Sequence, residues 1–325
     1  MTRPIAAKEN MTICFAHPAY RMQERFELRN TGIKSFEVRT LDELKARVGE
    51  ADVLSVSGFW RNDFIPQASR LAFIQSISAG TDQYSKDLLG RAGIRVASAQ
   101  GSNERAVAEH AIALILAIAR KLPMARDNQS QKKWRGLISE IPKREDEVGG
   151  KTLVIVGMGR IGSRLATLAK AFDMNVIGVK RDLSKGAEAA HSVVAQADLL
   201  KVLPQADFVT LTCPLNPSTE NIINAEALRA MKPTASLINV ARGKVVHEPS
   251  LIEAMNAGTI AAAALDCAWE EPLPESSALW TLPNVFITPH SAGETQKYED
   301  NVIDLLMENL QRLWRGETQL KNEFV

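Results

Sequence analysis

The segment "VIVGMGRIGSRLA" constrains the fold of this chain more than any other feature. It places Gly157, Gly159 and Gly162 in the spacing G-x-G-x-x-G, after an apolar strand-forming run and before a helix-forming run. In such a unit the first glycine permits a tight turn, the second lets the backbone approach a pyrophosphate, and the third lets helix and strand pack closely. The segment therefore predicts a dinucleotide-binding strand–turn–helix unit.

The residues after these glycines bear on which dinucleotide binds. The first N–H groups of the expected helix, at Arg160 and Ile161, have no partner within the helix and attract phosphate. The next strand ends in "VIGVKRD", so Lys180 and Arg181 stand where many NAD-binding proteins carry an acidic residue. Two cations suit the 2′-phosphate of NADP, whereas Asp182 turned inward would suit NAD. We therefore expect NADP(H) to be preferred, with NAD(H) as the open alternative.

Strand-forming and helix-forming segments alternate in two blocks that meet near residues 101–103. A chain of 325 residues exceeds one ordinary core, so two domains are expected. The alternation predicts parallel sheets with helices on their faces. One long helix is expected over residues 103–123, ending at Pro123, and an amphipathic helix over residues 298–317. The strand-forming runs of the first block are "MTICFA", "DVLSVSG", "LAFIQSIS" and "IRVAS".

The bulk composition argues against several classes of function. The net charge is +1 and no long basic tract is present, which argues against binding to nucleic acid. The three cysteines lie far apart and lack the spacing of metal ligands, so we expect no metal site and reduced thiols in a cytoplasmic protein. The beginning of the chain shows no signal peptide, and the most apolar helical run, "AIALILAIA", is too short to span a bilayer.

Three charged or titratable residues follow successive strand-forming runs of the second block. Arg242 follows "SLINVA", Asp266 follows "AAAAL", and His290 follows "VFITP". Because parallel strands end along one edge of a sheet, these side chains are expected to converge there. A carboxylate beside His290 favours the charged ring, which can then donate a proton to a carbonyl oxygen. Arg242 can hold a substrate carboxylate in a bidentate pair. A lone histidine at a strand end is more often structural, so this hypothesis depends on the partners.

The first block has one matching feature. A strand-forming run ends in Ser78, Ala79 and Gly80, small residues whose backbone N–H groups can stay accessible to a carboxylate. A simple turn would have the same sequence, so the segment carries weight only beside the other features.

These motifs occur in an order that resembles the D-2-hydroxyacid dehydrogenase family over essentially the whole chain. The resemblance implies an α/β protein with two doubly wound parallel-sheet domains. A flavodoxin-like catalytic domain would comprise residues 1–101 and 292–325, and a Rossmann domain inserted in it would comprise residues 102–291. The segments that carry the resemblance are "GMGRIGSRLA", "CPLNPSTENII", "INVARGKVV", "LDCAWEEPLP" and "ITPHSAG".

The resemblance also implies roles for individual residues. Arg242 would orient the substrate, His290 would be the general acid and base, and Glu271 would be the partner of that histidine. Ser78 to Gly80 would contact the substrate carboxylate. The cofactor cleft would be lined by Cys213, Pro214, Val240 and Ala241, with Asp266 near the nicotinamide.

The activity that the resemblance implies is NAD(P)-dependent reduction of small 2-keto acids, with glyoxylate and hydroxypyruvate as leading substrates. A homodimer through the Rossmann domains is also implied. The alternative is a non-catalytic, dinucleotide-sensing corepressor of the same fold. From the 325 residues we expect no extra regulatory domain of the kind found in some phosphoglycerate dehydrogenases. Thr81 stands where the family often has valine, which leaves the choice of substrate open.

Overall fold

The computed structural model describes residues 2–184 and 189–325. The chain divides into two compact units, each described here by itself. The first unit comprises Met1–Asn103 together with Thr295–Val325, and the second comprises Glu104–Glu294. Each unit contains one parallel sheet, of five and seven strands respectively. The two parallel-sheet α/β domains confirm the fold class expected from the sequence.

The first unit is a parallel sheet in the order β2-β1-β3-β4-β5 with helices packed against it. The last helix of the chain belongs to this unit, because its apolar face shares a core with Phe15 and Phe26. The elements are β1 (Thr12–Ala16), α1 (Met22–Glu27), β2 (Lys34–Val38), α2 (Leu41–Arg47), β3 (Val53–Val56), β4 (Phe73–Ser76), α3 (Lys86–Arg91), β5 (Arg95–Ala97) and α10 (Tyr298–Trp314).

The second unit has seven parallel strands in the order β12-β11-β10-β9-β6-β7-β8. The elements are α4 (Glu104–Ala119), α5 (Leu122–Ser130), β6 (Thr152–Val156), α6 (Arg160–Ala171), β7 (Asn175–Lys180), β8 (Ser192–Ala195), α7 (Leu199–Val202), β9 (Phe208–Leu211), α8 (Ala225–Ala230), β10 (Ser236–Asn239), α9 (Glu248–Ala257), β11 (Ala262–Leu265) and β12 (Val285–Ile287). From β6 the chain winds outward to β7 and β8, then returns to β9 and winds the other way. The carboxyl ends of β6 and β9 therefore form a topological switch point, where ligands bind in such sheets.

The single long helix expected over residues 103–123 is wrong at its carboxyl end. Helix α4 stops at Ala119, and Lys121 adopts a left-handed backbone with φ of 52° before α5 begins at Leu122. Pro123 lies in the first turn of α5 rather than at the end of a helix. Proline is tolerated there because the N–H groups of the first turn have no partner within the helix.

The helices and the cysteines relate to the expectations about membrane spans, metal sites and thiols. Within the described residues, no helix is long and apolar enough to cross a membrane, and no group of three or more His, Cys, Asp or Glu could hold a metal. All three cysteines are buried and free. Burial raises the pKa of Cys213 to about 11 and that of Cys14 to about 12, so both thiols are neutral at physiological pH.

Candidate active site

The glycine-rich turn lies between β6 and α6, at the switch point of the second sheet. Gly157 has φ of 107°, and a Cβ there would lie 2.6 Å from the backbone N of Cys213. A Cβ on Gly162 would lie 2.1 Å from the backbone O of Gly157. At Gly159, by contrast, no heavy atom of the described residues lies within 4 Å of such a Cβ. The turn is thus closed by its outer glycines and open at its middle one, which fits a bound pyrophosphate.

The residues expected to line the rest of a cofactor cleft also follow strands of this sheet. Helix α6 begins at Arg160, with Gly159 as its N-cap and Ile161 as its second residue. Cys213 and Pro214 follow β9, and Cys213 packs against Gly157. Val240 and Ala241 follow β10 and are buried. These residues therefore lie along one edge of the sheet, and their contacts with a cofactor stay a prediction.

The end of β7 presents the two cations. Lys180 is the last residue of the strand, and Arg181 is exposed just beyond it. The Asp182 carboxylate accepts hydrogen bonds from Ser184, from the backbone N at 3.0 Å and from Oγ at 2.6 Å. Arg181 also lines a cavity of about 480 Å³ with Gln196, Leu199, Leu200, Ser218, Ile222, Asn224 and Glu226 among its neighbours.

The histidine at the end of the sheet has a carboxylate partner. His290 Nδ1 lies 2.7 Å from Glu271 Oε2, and Glu271 Oε1 accepts a hydrogen bond from the Ala268 N–H at 3.0 Å. Glu271 therefore uses one oxygen to fix its own loop and the other to fix the ring. Because Nδ1 faces Glu271, Nε2 is the ring nitrogen left to exchange a proton with a ligand. Both residues line an apolar cavity of about 740 Å³, together with Asp266, Leu273, Leu279, Trp280, Ile287 and Thr288.

Arg242 lies just beyond the carboxyl end of β10, which is two strands from β12 in the sheet. Adjacent strands are about 4.8 Å apart, which places the ends of β10 and β12 roughly 10 Å from each other. The Arg242 guanidinium donates one hydrogen bond to the Ala241 carbonyl at 2.7 Å. Asn239 holds the backbone of this turn, because its side chain accepts from the Ala241 N–H and donates to the Arg242 carbonyl, both at 3.0 Å.

Asp266 lies between these two strand ends and is almost fully buried, with 2% of its surface exposed. Its carboxylate accepts hydrogen bonds from Thr288 Oγ1 at 2.6 Å, from the Ser291 N–H at 2.9 Å and from the Ala292 N–H at 3.0 Å. These donors flank His290, whose backbone has a left-handed φ of 53°. Asp266 therefore supports the turn that carries the histidine, and its expected place near the nicotinamide stays a prediction.

The predicted substrate segment of the first unit follows β4. Ser78 is tied into a cluster of hydroxyls, because its Oγ accepts from Ser57 Oγ at 2.9 Å and its N–H donates to Ser76 Oγ at 3.2 Å. The N–H groups of Ala79 and Gly80 have no hydrogen-bond acceptor among the described residues. They are therefore available to an anion, and their contact with a substrate carboxylate stays a prediction.

Residues 112–292 match the family model described as D-isomer specific 2-hydroxyacid dehydrogenase, NAD binding domain. The chain belongs to this family. Membership agrees with the resemblance inferred from the motifs, and the NAD-binding domain indicates a nicotinamide cofactor.

Three proteins that are similar to this chain illustrate the range of the family. A glyoxylate reductase of Pyrococcus furiosus is 36% identical over 85% of this chain and 83% of that protein. A D-3-phosphoglycerate dehydrogenase of Methanocaldococcus jannaschii is 35% identical over 86% of this chain and 52% of that protein, so the chain spans about half the length of that relative. The crystal structure of a Thermus thermophilus protein aligns with a TM-score of 0.83 at 30% identity, over 97% of this chain and 100% of that one.

Two polar residues of the candidate site were not singled out from the sequence. Asn239 ends β10 and is buried, and an amide at the end of an otherwise apolar strand was the available signal. His110 lies in the middle of α4, and its Nε2 is 3.0 Å from Thr288 Oγ1. No local pattern could have linked His110 to Thr288, because 178 positions separate them in the chain.

Proposed function

We propose that the protein is an NAD(P)H-dependent reductase of small 2-keto acids, with glyoxylate and hydroxypyruvate as the leading substrates. The observation that carries the proposal is the 2.7 Å contact between His290 Nδ1 and Glu271, beside the strand end that bears Arg242. Similarity to a glyoxylate reductase over most of that protein supports the same class of substrate.

The chemistry follows from these side chains. Arg242 is a permanent cation with donors left after its bond to Ala241, and it can hold the substrate carboxylate and polarise the neighbouring carbonyl. Reduced nicotinamide, when bound, supplies a hydride to the carbonyl carbon. The proton on His290 Nε2 passes to the carbonyl oxygen, which becomes the product hydroxyl. Glu271 stabilises the charged ring before this transfer and fixes its orientation during it.

The same residues distinguish a keto acid from other carbonyl compounds. A carboxylate next to the carbonyl satisfies Arg242 and sets the carbonyl oxygen towards the histidine. A simple aldehyde or ketone would leave the guanidinium without this partner. Its carbonyl would then be poorly oriented and would react more slowly, because the orientation of the bound substrate accounts for much of an enzymatic rate. The cavity beside His290 has largely apolar walls, and the ring itself is partly open to solvent.

We further propose that NADPH is preferred over NADH. Lys180 and Arg181 end the strand that in NAD-binding proteins carries an acidic residue. The next carboxylate along the chain, Asp182, accepts two hydrogen bonds from Ser184, which supports an orientation away from a ribose. One charge-assisted hydrogen bond contributes about 1.5–3 kcal/mol, so even one contact to a 2′-phosphate corresponds to a preference of roughly tenfold or more.

We also propose that the enzyme is a cytoplasmic homodimer. Five large apolar side chains stand exposed within residues 122–141 of the second unit, and a partner surface would remove them from water. They are Leu122, Met124, Trp134, Leu137 and Ile141. Light scattering of the purified chain tests this, and a protein that stays monomeric at micromolar concentration would contradict it.

The activity is tested with a panel of carbonyl substrates and both cofactors. Oxidation of NADPH and of NADH is followed with glyoxylate, hydroxypyruvate, pyruvate, 3-phosphohydroxypyruvate and, as a control without a carboxylate, glycolaldehyde. We expect turnover with at least one small 2-keto acid and little with glycolaldehyde. Cofactor binding without turnover of any keto acid would contradict the proposal and favour the dinucleotide-sensing alternative.

Cofactor preference is tested by comparing kcat/KM for NADPH and NADH. We expect the wild type to favour NADPH, and we expect the double variant Lys180→Ala, Arg181→Ala to lose roughly tenfold or more of that ratio. Lys170→Ala, at the exposed end of α6, is the matched control for a general loss of positive charge. An NADH-preferring wild type, or a double variant with an unchanged ratio, would exclude the assignment.

A further inference from the structure

A second histidine and a second carboxylate lie next to the proposed catalytic pair, within the same unit. His110 projects from α4, which packs against β10 and β11. Its Nε2 lies 3.0 Å from Thr288 Oγ1 and 3.5 Å from Asp266 Oδ1. Neither the mechanism proposed above nor the sequence motifs assign a role to His110 or Thr288.

The direction of each hydrogen bond in this group follows from the number of protons available. Thr288 has one hydroxyl proton, and the 2.6 Å contact with the acceptor-only Asp266 carboxylate uses it. Thr288 Oγ1 must therefore accept from His110, which places a proton on His110 Nε2. The donor chain runs from His110 to Thr288 to Asp266, and it ends on the carboxylate that also receives the Ser291 and Ala292 N–H groups.

This series of hydrogen bonds matters because the backbone at His290 is strained. A left-handed φ is uncommon for a residue other than glycine and persists only where the surroundings hold it. The Thr288 side chain stands two residues before His290, and the Ser291 and Ala292 N–H groups stand one and two residues after it. All three donate to the same buried carboxylate. The conformation of the catalytic turn is therefore set by the position of Asp266, and Thr288 orientation is set in part by His110.

We propose that His110 is a positioning residue for catalysis, which acts through Thr288 and Asp266 to hold the turn that carries His290. The proposal rests on the proposed function, in that His290 is taken as the proton donor. His110 supplies a directed N–H to a buried hydroxyl, and loss of that donor leaves Thr288 free to rotate away from Asp266. The His290 ring would then lose its alignment with the substrate, although Glu271 would remain in place.

Two pairs of variants separate the donor from the bulk of each side chain. His110→Leu and Thr288→Val remove a hydrogen-bonding group at similar volume. His110→Gln keeps an N–H donor near the position of Nε2, and Thr288→Ser keeps the hydroxyl. Thr167→Val on α6 is the control for the loss of a hydroxyl, because among the described residues that exposed group bonds only to the Ser163 carbonyl one turn earlier.

Steady-state kinetics and ring resonances are measured on all five variants. We expect His110→Leu and Thr288→Val to lower kcat roughly 10-fold or more, with an unchanged KM for the reduced cofactor, since misplacement by about 1 Å can cost about 10²-fold. The Gln and Ser variants should recover most of that loss, and Thr167→Val should match the wild type. If His110→Leu and Thr288→Val had the same kcat as His110→Gln and Thr288→Ser, and differed from them only in thermal stability, the role would be merely structural and the proposal would be overturned.

Nuclear magnetic resonance of the ring protons distinguishes failure of this proposal from failure of the proposed function. The chain has five histidines, and His290→Ala identifies the His290 signal by its loss. We expect that signal to move or broaden in His110→Leu and Thr288→Val and to stay near its wild-type position in His110→Gln and Thr288→Ser. A wild type inactive on every keto acid would refute the function alone. An unmoved His290 signal in all four variants would refute the positioning role, whatever the activity.

Discussion

His17 and His290 occupy similar places in the two sheets and have opposite surroundings. His17 directly follows β1 at the carboxyl edge of the first sheet, and His290 stands shortly after β12 at the carboxyl edge of the second. The Nδ1 of His17 accepts hydrogen bonds from the backbone N–H groups of Ala19 at 3.2 Å and Tyr20 at 2.8 Å. The Nδ1 of His290 faces a carboxylate oxygen of Glu271 instead.

These partners determine what each ring can do. Two N–H donors onto one ring nitrogen require that nitrogen to be unprotonated, so His17 must stay neutral to keep its turn. Burial, with the nearby Arg39 adding to the effect, lowers the pKa of His17 to about 4. A carboxylate at the same nitrogen requires a proton there instead, which leaves Nε2 of His290 to face a ligand. The partner of Nδ1 thus distinguishes the histidine that is fixed in a turn from the one that we propose as the proton donor.

The largest effect expected from this comparison is on turnover. His290→Ala should lower kcat by about 10²–10⁴-fold, because general acid catalysis typically contributes that much, and should leave the dissociation constant of the reduced cofactor nearly unchanged. His17→Asn, the control at the other strand end, should keep wild-type turnover. Stopped-flow or steady-state kinetics with the best keto acid measures both. A fully active His290 variant would end the assignment of the proton donor.

A smaller effect is expected when the surroundings of His290 are made more like those of His17. Glu271→Gln removes the negative charge but keeps the volume, and the ring loses the partner that favours its charged form. A hydrogen bond to a charged group contributes about 1.5–3 kcal/mol, so turnover at neutral pH should fall roughly 10- to 100-fold. Steady-state kinetics with the best keto acid measures this loss. Turnover equal to that of the wild type would show that Glu271 does not assist the His290 ring.

The fold was predictable where short-range patterns are strong and less so where tertiary contacts decide. The strand β6, the glycine turn and α6 follow one another in sequence, and their spacing predicted the unit. The edge strands β2 and β8 were not predicted, because they are partly exposed and lack an apolar run. The break after α4 was also missed. Lys121 adopts its left-handed backbone although no glycine marks the position.

The candidate site divides in a similar way. Arg242, Asp266 and His290 follow three neighbouring strand ends, so sheet topology was enough to group them, whereas Glu271 was named as the partner of the histidine by the family resemblance. Their supporting residues carry no such signal. His110 comes from a helix far earlier in the chain, and its link to Thr288 depends on how α4 packs on the sheet. The position after an apolar strand did not by itself separate His290 from His17, and only the motifs around His290 carried the expectation of its role.

The smallest effect expected from the comparison is on stability against acid. The pKa of His17 is about 4 in the folded chain and about 6.5 as an unperturbed histidine. Between these values the unfolded chain binds more protons, so the contribution of His17 lowers stability as pH falls from 6.5 to 4, with no further change below that. Each unit of pKa corresponds to about 1.4 kcal/mol, and partial exposure reduces the total to about 1–2 kcal/mol.

His17→Asn offers a side-chain oxygen to the same N–H groups without a titrating ring. We therefore expect the melting temperature of this variant to fall less than that of the wild type between pH 7 and pH 4.5. Because the carboxylates titrate equally in both proteins, the difference between the two curves isolates His17, and parallel curves would show that its ring is not held neutral by the turn.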